Sequence, residues 1–185
     1  YVSTLVTQNV DRLHQKAGHK KVTDLHGRLD QVVCMDCGSI TSRDQIQSWL
    51  RDHNPHISGI EVEKSALRPD GDADVGDKLI HEIKVPQCPS CSGLLKPNVV
   101  FYGSTVNKEI VNYLLDRLQK AKALLVIGTS LMVYSSFRFC KYANENQIPM
   151  ACVNQGLTRG DSLFSLKVGG DCSEVLNQLI GYLPE

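Results

Sequence analysis

Four of the seven cysteines fall into two C-x-x-C pairs, Cys34/Cys37 in Cys-Met-Asp-Cys-Gly and Cys88/Cys91 in Cys-Pro-Ser-Cys-Ser-Gly. Two such knuckles supply four thiolates, the donor set of a closed tetrahedral zinc site. A redox pair needs only one C-x-x-C at a helix start, so two matched pairs favour metal. The loop between Cys37 and Cys88 exceeds the usual spacing of roughly 15–20 residues. Lengthening it costs only roughly 1 kcal/mol of closure entropy. Zinc binding in such sites contributes on the order of 10 kcal/mol or more, so spacing does not veto the site. With four protein ligands no position is left for water, which makes the expected zinc structural. Cys140, Cys152 and Cys172 are scattered among apolar neighbours, and an odd total is not the framework of a secreted disulfide protein. The cysteine usage reads as an intracellular, reducing setting.

A second set of residues suits ribose hydroxyls and phosphate oxygens. Thr7-Gln8-Asn9-Val10-Asp11, Gly128-Thr129-Ser130 and Asn154-Gln155-Gly156 each follow an apolar stretch and offer amide, hydroxyl or carboxylate groups, with glycine for close backbone approach in the last two. Each alone reads equally well as a local turn: Gly-Thr-Ser as a helix cap, Asn9 as an Asx turn, Asn154 as a turn residue. His26, in Leu25-His26-Gly27, can take a proton from a hydroxyl near neutral pH, or merely cap a strand.

The elements that must position these groups follow from periodicity. Val2–Thr7 reads as a buried strand. Asn9 is expected to cap a short helix over 10–17, closed by Gly18. Residues from about Gln45 to Lys84 read as a short helix followed by a long charged loop containing Arg68-Pro69-Asp70-Gly71-Asp72. Asn98–Tyr102 reads as a strand. Ile110, Val111, Leu114, Leu115 and Leu118 share one helical face. The continuous apolar run Ala123–Ile127 has the pattern of a central parallel strand. Tyr134–Asn146 suits a helix and Ile148–Val153 a strand. Asp171 and Glu174 open a last helix whose inner face carries Val175, Leu176, Leu179, Ile180 and Leu183. Alternating strands and helices predict an α/β fold, a doubly wound Rossmann-like parallel sheet with an inserted zinc-ribbon small domain. The expected division is 1–30 with 97–185 for the sheet domain and 31–96 for the zinc domain.

Twenty basic and twenty acidic residues cancel, so no general field attracts nucleic acid or an acidic membrane; His19-Lys20-Lys21 reads as a solvated turn. No stretch approaches the roughly 20 apolar residues of a membrane span. The first residue is Tyr1 and the strand pattern begins almost at once, so the expectation is that a longer chain continues upstream and would carry any targeting signal.

The ordered set Thr-Gln-Asn-Val-Asp, Leu-His-Gly, two C-x-x-C pairs, Lys96-Pro97-Asn98-Val99-Val100-Phe101-Tyr102-Gly103, Gly-Thr-Ser-Leu and Val-Asn-x-Gly resembles the sirtuins, from Leu5 to about Leu183. The Arg-Pro-Asp-Gly-Asp insertion and Leu157-Thr158-Arg159 resemble the class II, mitochondrial sirtuin-four branch, which implies a mitochondrial matrix location. The resemblance implies an NAD-dependent protein-lysine deacylase acting on acylated-lysine protein substrates, with no nucleic-acid or membrane partner and a monomeric state. It implies that Gln8, Asn9, Val10 and Asp11 serve the nicotinamide ribose and pocket, that Gly128, Thr129 and Ser130 form a dinucleotide loop, and that Asn154, Gln155 and Gly156 form the adenosine-ribose loop. Cys172 becomes an adenine-side contact, and His26 the general base. Val100, Tyr102 and Gly103 become the strand that pairs with the substrate peptide.

In the implied reaction the acyl oxygen attacks the ribose carbon as nicotinamide leaves. His26 then deprotonates a ribose hydroxyl, and free lysine and O-acyl-ADP-ribose result. The family's Gly-Ala-Gly-x-Ser phosphate loop and Asp-Phe-Arg segment do not occur in this sequence. The expectation is therefore that these 185 residues alone bind NAD poorly and turn over little. Ser104 stands where the family often has an acid, which implies a shifted peptide preference. Two other functions fit the same residues: a protein mono-ADP-ribosyltransferase using the same NAD site, and a non-catalytic zinc-ribbon binding module.

Overall fold

The computed structural model describes residues 2–57 and 81–183; the Arg68–Asp72 motif lies outside the described residues. The chain divides into two compact units, one of Tyr1–Gln8, Ala17–His26 and Val100–Glu185, the other of Asn9–Lys16 and Gly27–Val99.

In the first unit, β1 (Leu5–Thr7) and β2 (Val22–Asp24) pair in parallel, with Leu5 opposite Val22 and Thr7 opposite Asp24. A second parallel sheet holds β6 (Leu124–Ile127), β7 (Met150–Val153) and β8 (Leu166–Val168), in the order β6-β7-β8. Two helices pack against these strands. Helix α3 (Lys108–Gln119) is capped by the Asn107 side chain and turns Val111, Leu114 and Leu118 inward. Helix α4 (Tyr134–Glu145) buries Phe139, Cys140 and Ala143. These side chains close on Leu25, Val126, Met150 and Cys152 to form one apolar core. Helix α5 (Cys172–Ile180) starts at Asp171, whose carboxylate accepts the N–H groups of Ser173 and Glu174.

The second unit is an antiparallel sheet of β3 (Gly27–Cys34), β4 (Ile40–Ser42) and β5 (Leu95–Val99), ordered β4-β3-β5. It also holds the short α1 (Leu13–Lys16) and α2 (Arg43–His53), the latter capped by Ser42. Asn54 is fully buried and satisfied: its amide donates to Leu50 O and Lys84 O, and its oxygen accepts Lys84 N–H at 2.7 Å. It joins the chain ends that flank residues 58–80, a buried polar group that stabilises because every bond is made.

The fold class is as the alternation predicts, and several elements differ in detail. The short helix starts at Leu13, capped by Asp11 rather than Asn9, because Arg12 adopts φ 66° and so blocks an earlier start. Strand β5 runs Leu95–Val99, not Asn98–Tyr102. The knuckle at Cys88 carries the chain alongside β3 from the Cys34–Leu95 pair onward, and the chain then turns with Ser104 N–H donating to Phe101 O. Pro97 sits on this edge strand, where a missing N–H is tolerated. Among the described residues β6 is an edge strand and β7 the central one, and Leu125 and Ile127 are exposed. The face of α5 expected to be buried leaves Leu179, Ile180 and Leu183 exposed at 42–64%. Strand β8 has no counterpart in the sequence reading, because three residues are too few to show a period.

Candidate functional site

In the first unit the strand ends carry the polar loops. Gln8 follows β1, and its amide Nε2 donates to Thr129 Oγ1 at 3.0 Å; the same oxygen accepts Leu131 N–H at 3.1 Å. Two segments distant in sequence, one after β1 and one after β6, are thereby locked together. Gly128 adopts φ 59° directly after β6 and donates its N–H to Val153 O at the end of β7. A positive φ at a strand end suits glycine because L side chains are strained there. The Cys172 thiol, at the start of α5, reaches the same Val153 carbonyl at 3.6 Å.

Asn154, next after β7, donates its amide to Gly156 O at 2.9 Å, and the Lys167 ammonium, from β8, donates to the same oxygen at 2.9 Å. Lys167 also reaches Asp161 Oδ2 at 2.7 Å and holds that carboxyl below the usual range. Arg159 joins the loops again: its backbone N–H donates to Ser130 O, its guanidinium donates to Met132 O, and the group lies 4.4 Å over the Phe137 ring. Gln155 is exposed.

His26 is held at both ring nitrogens. Nδ1 lies 3.2 Å from Gln8 O and Nε2 lies 2.7 Å from Ser135 Oγ. A carbonyl oxygen only accepts, so the proton sits on Nδ1 and Nε2 presents a lone pair. Burial pushes the imidazole below its ordinary value, against the opposing pull of the Gln8 carbonyl. The ring is therefore neutral near pH 7 and fit to act as a base. The His26 carbonyl accepts Val100 N–H at 2.8 Å, while Tyr102 is 97% exposed and Gly103 adopts φ 82° in the turn. Of the sequence-selected residues, the first unit thus collects Gln8, His26, Gly128, Thr129, Ser130, Asn154, Gln155, Gly156, Cys172, Val100, Tyr102 and Gly103. Asn9, Val10 and Asp11 belong to the second unit, where Val10 O accepts Leu29 N–H. Ser135, Arg159 and Lys167 were not selected as site residues from sequence. Ser135 and Lys167 belong to no motif, and Arg159 only to the Leu157-Thr158-Arg159 run of the branch resemblance, so contacts alone mark them for a site.

In the second unit the four cysteines converge, with all Sγ atoms within 4.8 Å of one another. Cys34–Cys91 and Cys37–Cys88 are 3.5 and 3.7 Å apart, close to the edge of about 3.8 Å for a tetrahedron of thiolates around zinc. The knuckles are built alike. Gly38 N–H donates to Cys34 O and Ser92 N–H to Cys88 O; Cys34 N–H donates to Ser39 O and Cys88 N–H to Gly93 O. Gly38 and Ser92, each following a second cysteine, both adopt positive φ, at 73° and 61°. The Ser39 hydroxyl and the Ser90 backbone pull the Cys88 thiol down to about 6. The Gly93 backbone favours the Cys91 thiolate, yet contact with Cys37 and Cys34 outweighs it and pushes that thiol up to about 12. Four thiolates this close repel one another, and a divalent cation relieves that repulsion. The donor set fits a structural zinc.

A sequence model described as the Sir2 family matches residues 1–135. The chain is 48% identical, over 95% of its length and 63% of the relative's, to an NAD-dependent protein deacetylase 2 of Bradyrhizobium diazoefficiens. It is 49% identical, over 95% and 59%, to an NAD-dependent protein deacetylase of Xanthomonas axonopodis pv. citri. It is 45% identical, over 93% and 54%, to the human mitochondrial NAD-dependent protein lipoamidase sirtuin-4. The chain thus spans 54–63% of the length of these relatives. Among solved structures, a Sir2 complex with a p53 peptide and NAD+ superposes with a TM-score of 0.73 at 25% identity, covering 97% of this chain and 62% of that one. A Sir2 bound to a propionylated peptide gives 0.73 at 25% identity, over 97% and 63%. The mitochondrial matrix location expected from subfamily resemblance does not hold, because the bacterial relatives match at 48–49% against 45% for the human mitochondrial one, and bacteria have no such compartment. The Sir2 motifs, the fold and the four-sulfur centre coincide in one chain, and the chain belongs to the Sir2 family.

Proposed function

We propose that the protein is an NAD-dependent protein-lysine deacylase that releases nicotinamide and O-acyl-ADP-ribose. The observation that carries this reading is the state of His26: neutral, with Nδ1–H fixed on the Gln8 carbonyl and Nε2 a lone pair, beside loops locked by the Gln8–Thr129 bond. The names of relatives across most of the chain point the same way.

Bound NAD would supply the ribose carbon attacked by the acyl oxygen, nicotinamide as leaving group, and the hydroxyl that receives the acyl chain. His26 serves as the base that takes the proton from that hydroxyl at Nε2. Gln8 and Thr129 hold the strand-end loops in a fixed relation, so the base does not have to be organised during reaction. Gly128 and Ser130 offer backbone and hydroxyl groups to the dinucleotide. Asn154, clamped on Gly156, serves the adenosine ribose with Gln155, and Cys172 lies on the adenine side. Asn9, Val10 and Asp11 are read as nicotinamide-side residues on the motif. Val100, Tyr102 and Gly103 line the peptide, and substrates are acylated-lysine proteins. The zinc at Cys34, Cys37, Cys88 and Cys91 is structural.

The test is mass spectrometry of the full-length protein with NAD and a panel of acyl-lysine peptides, with His26→Ala alongside. O-acyl-ADP-ribose and free lysine, lost in the variant, are expected. ADP-ribosylated protein without deacylation would replace this reading with a transferase, and no NAD consumption would replace it with a zinc-stapled binding protein.

A further inference from the structure

The hydroxyl of Ser135 is 2.7 Å from Nε2 of His26, and the deacylase reading gives it no role. Because Nδ1 carries the proton that Gln8 O accepts, Ser135 O–H is the donor to the Nε2 lone pair. A hydroxyl on a neutral imidazole whose far nitrogen is fixed by an acceptor is the arrangement that activates a serine nucleophile.

The surroundings add two independent features. Ser135 is the second residue of the 12-residue α4, whose N-cap is Val133, so no side chain caps the helix. The backbone N–H groups of Tyr134 and Ser135 have no hydrogen-bond partner among the described residues. Two free donors and the positive end of the helix dipole thus lie at the Ser135 backbone, where an oxyanion would form. Ser135 itself is half-buried, while Met132, Val133 and Tyr134 are exposed at 63, 46 and 52%, which leaves an approach to the hydroxyl.

We infer that Ser135 and His26 form a nucleophilic dyad that hydrolyses acyl esters of alcohols without NAD. Ser135 Oγ bonds to the ester carbonyl carbon as its proton passes to His26 Nε2. The carbonyl electron pair moves onto oxygen, which the N–H groups of Tyr134 and Ser135 stabilise. The adduct then expels the alcohol, which takes the proton from His26, and acyl-Ser135 remains. Water attacks the acyl carbon and yields its proton to His26. Collapse returns that proton to Ser135 Oγ and releases the carboxylic acid. Ester and water become acid and alcohol, with nothing oxidised or reduced. Esters are the substrate class, rather than amides, because the group fixing Nδ1 is a neutral carbonyl. It stabilises an imidazolium less than a carboxylate would, so a good leaving group is needed.

The test uses the full-length protein without NAD, with p-nitrophenyl acetate as probe. Expected are steady p-nitrophenolate release and one acetyl group mapped to Ser135 by peptide mass spectrometry. Ser135→Ala and His26→Ala should each lower the rate about 100-fold or more. Ser135→Cys keeps a nucleophile in place and should still acquire the acetyl group at position 135. A wild-type rate in Ser135→Ala, acetyl found only elsewhere, or no hydrolysis above buffer by protein that melts cooperatively would each overturn the inference. Nicotinamide release from NAD and an acyl-lysine peptide, measured on the same preparation, reports on the deacylase reading separately, and either activity can fail while the other stands.

Discussion

His26 shows how one side chain acquires a function from its neighbours. Burial favours the uncharged ring, so the unfolded chain binds more protons than the folded one just below the ordinary histidine value of 6.5. Stability contributed by this group is present above that value and is lost as pH falls through it toward the lower folded value. On the proposed role of His26 as the base, the same shift governs catalysis, since the base must be proton-free. The acid limb of the kcat/KM profile for deacylation should therefore have its midpoint below 6.5, measured by initial rates across pH; a midpoint above 6.5 would contradict the assignment. The next residue is fixed by sterics. Gly27 adopts φ 82°, and a Cβ there would overlap the carbonyl oxygen of Asn98. Gly27→Ala is expected to cost roughly 2 kcal/mol or more, read as a lowered urea midpoint. The Leu-His-Gly motif thus needs its glycine for sterics, and in the proposed reaction its histidine for chemistry.

At the scale of elements, the polar loops are organised by strands that supply few polar atoms themselves. Lys167, on the three-residue β8, fixes Gly156 O and Asp161. Lys167→Ala should leave Asn154 alone on Gly156 and raise KM for NAD roughly tenfold, with kcat little changed, because it removes a charge-assisted bond that orders a binding loop. Steady-state kinetics separates the two parameters. In the zinc-bearing unit, Ser92 occupies in the second knuckle the left-handed position that Gly38 occupies in the first. Ser92→Gly removes strain of about 1 kcal/mol and is expected to raise the melting temperature of the zinc-loaded protein by a few degrees. Unchanged or lowered melting would show that the serine conformation carries no strain there.

At the scale of the whole molecule the two units are stabilised by different physics. The first rests on an apolar core between α3, α4 and β6–β7. The second has only six buried positions among its described residues, Val32, Cys34, Asn54, Pro86, Cys88 and Gly93, two of which are cysteines of the cluster. Metal should therefore supply much of its stability. Chelation is expected to release one zinc per chain and to abolish hydrogen-exchange protection in β3–β5, while protection persists in β6 and β7. Equal loss in both units would contradict this division.

The sequence by itself determined the family motifs, the four-sulfur donor set, the helices with a clear apolar face and the parallel character of the main strands, because spacing and periodicity are local properties of the chain. It could not mark Asp11 as the cap of α1, since that depends on the positive φ of Arg12, nor β8, which is too short to have a period. It could not show β6 at a sheet edge, because pairing order is set by packing. Ser135 and Lys167 carry no signal of their own. Only tertiary structure placed the first on His26, across the chain from position 26 to position 135, and the second on Gly156. Residue types and spacing specify which chemistry is possible; which nitrogen carries the proton and which hydroxyl meets it depend on contacts between segments that no local pattern records.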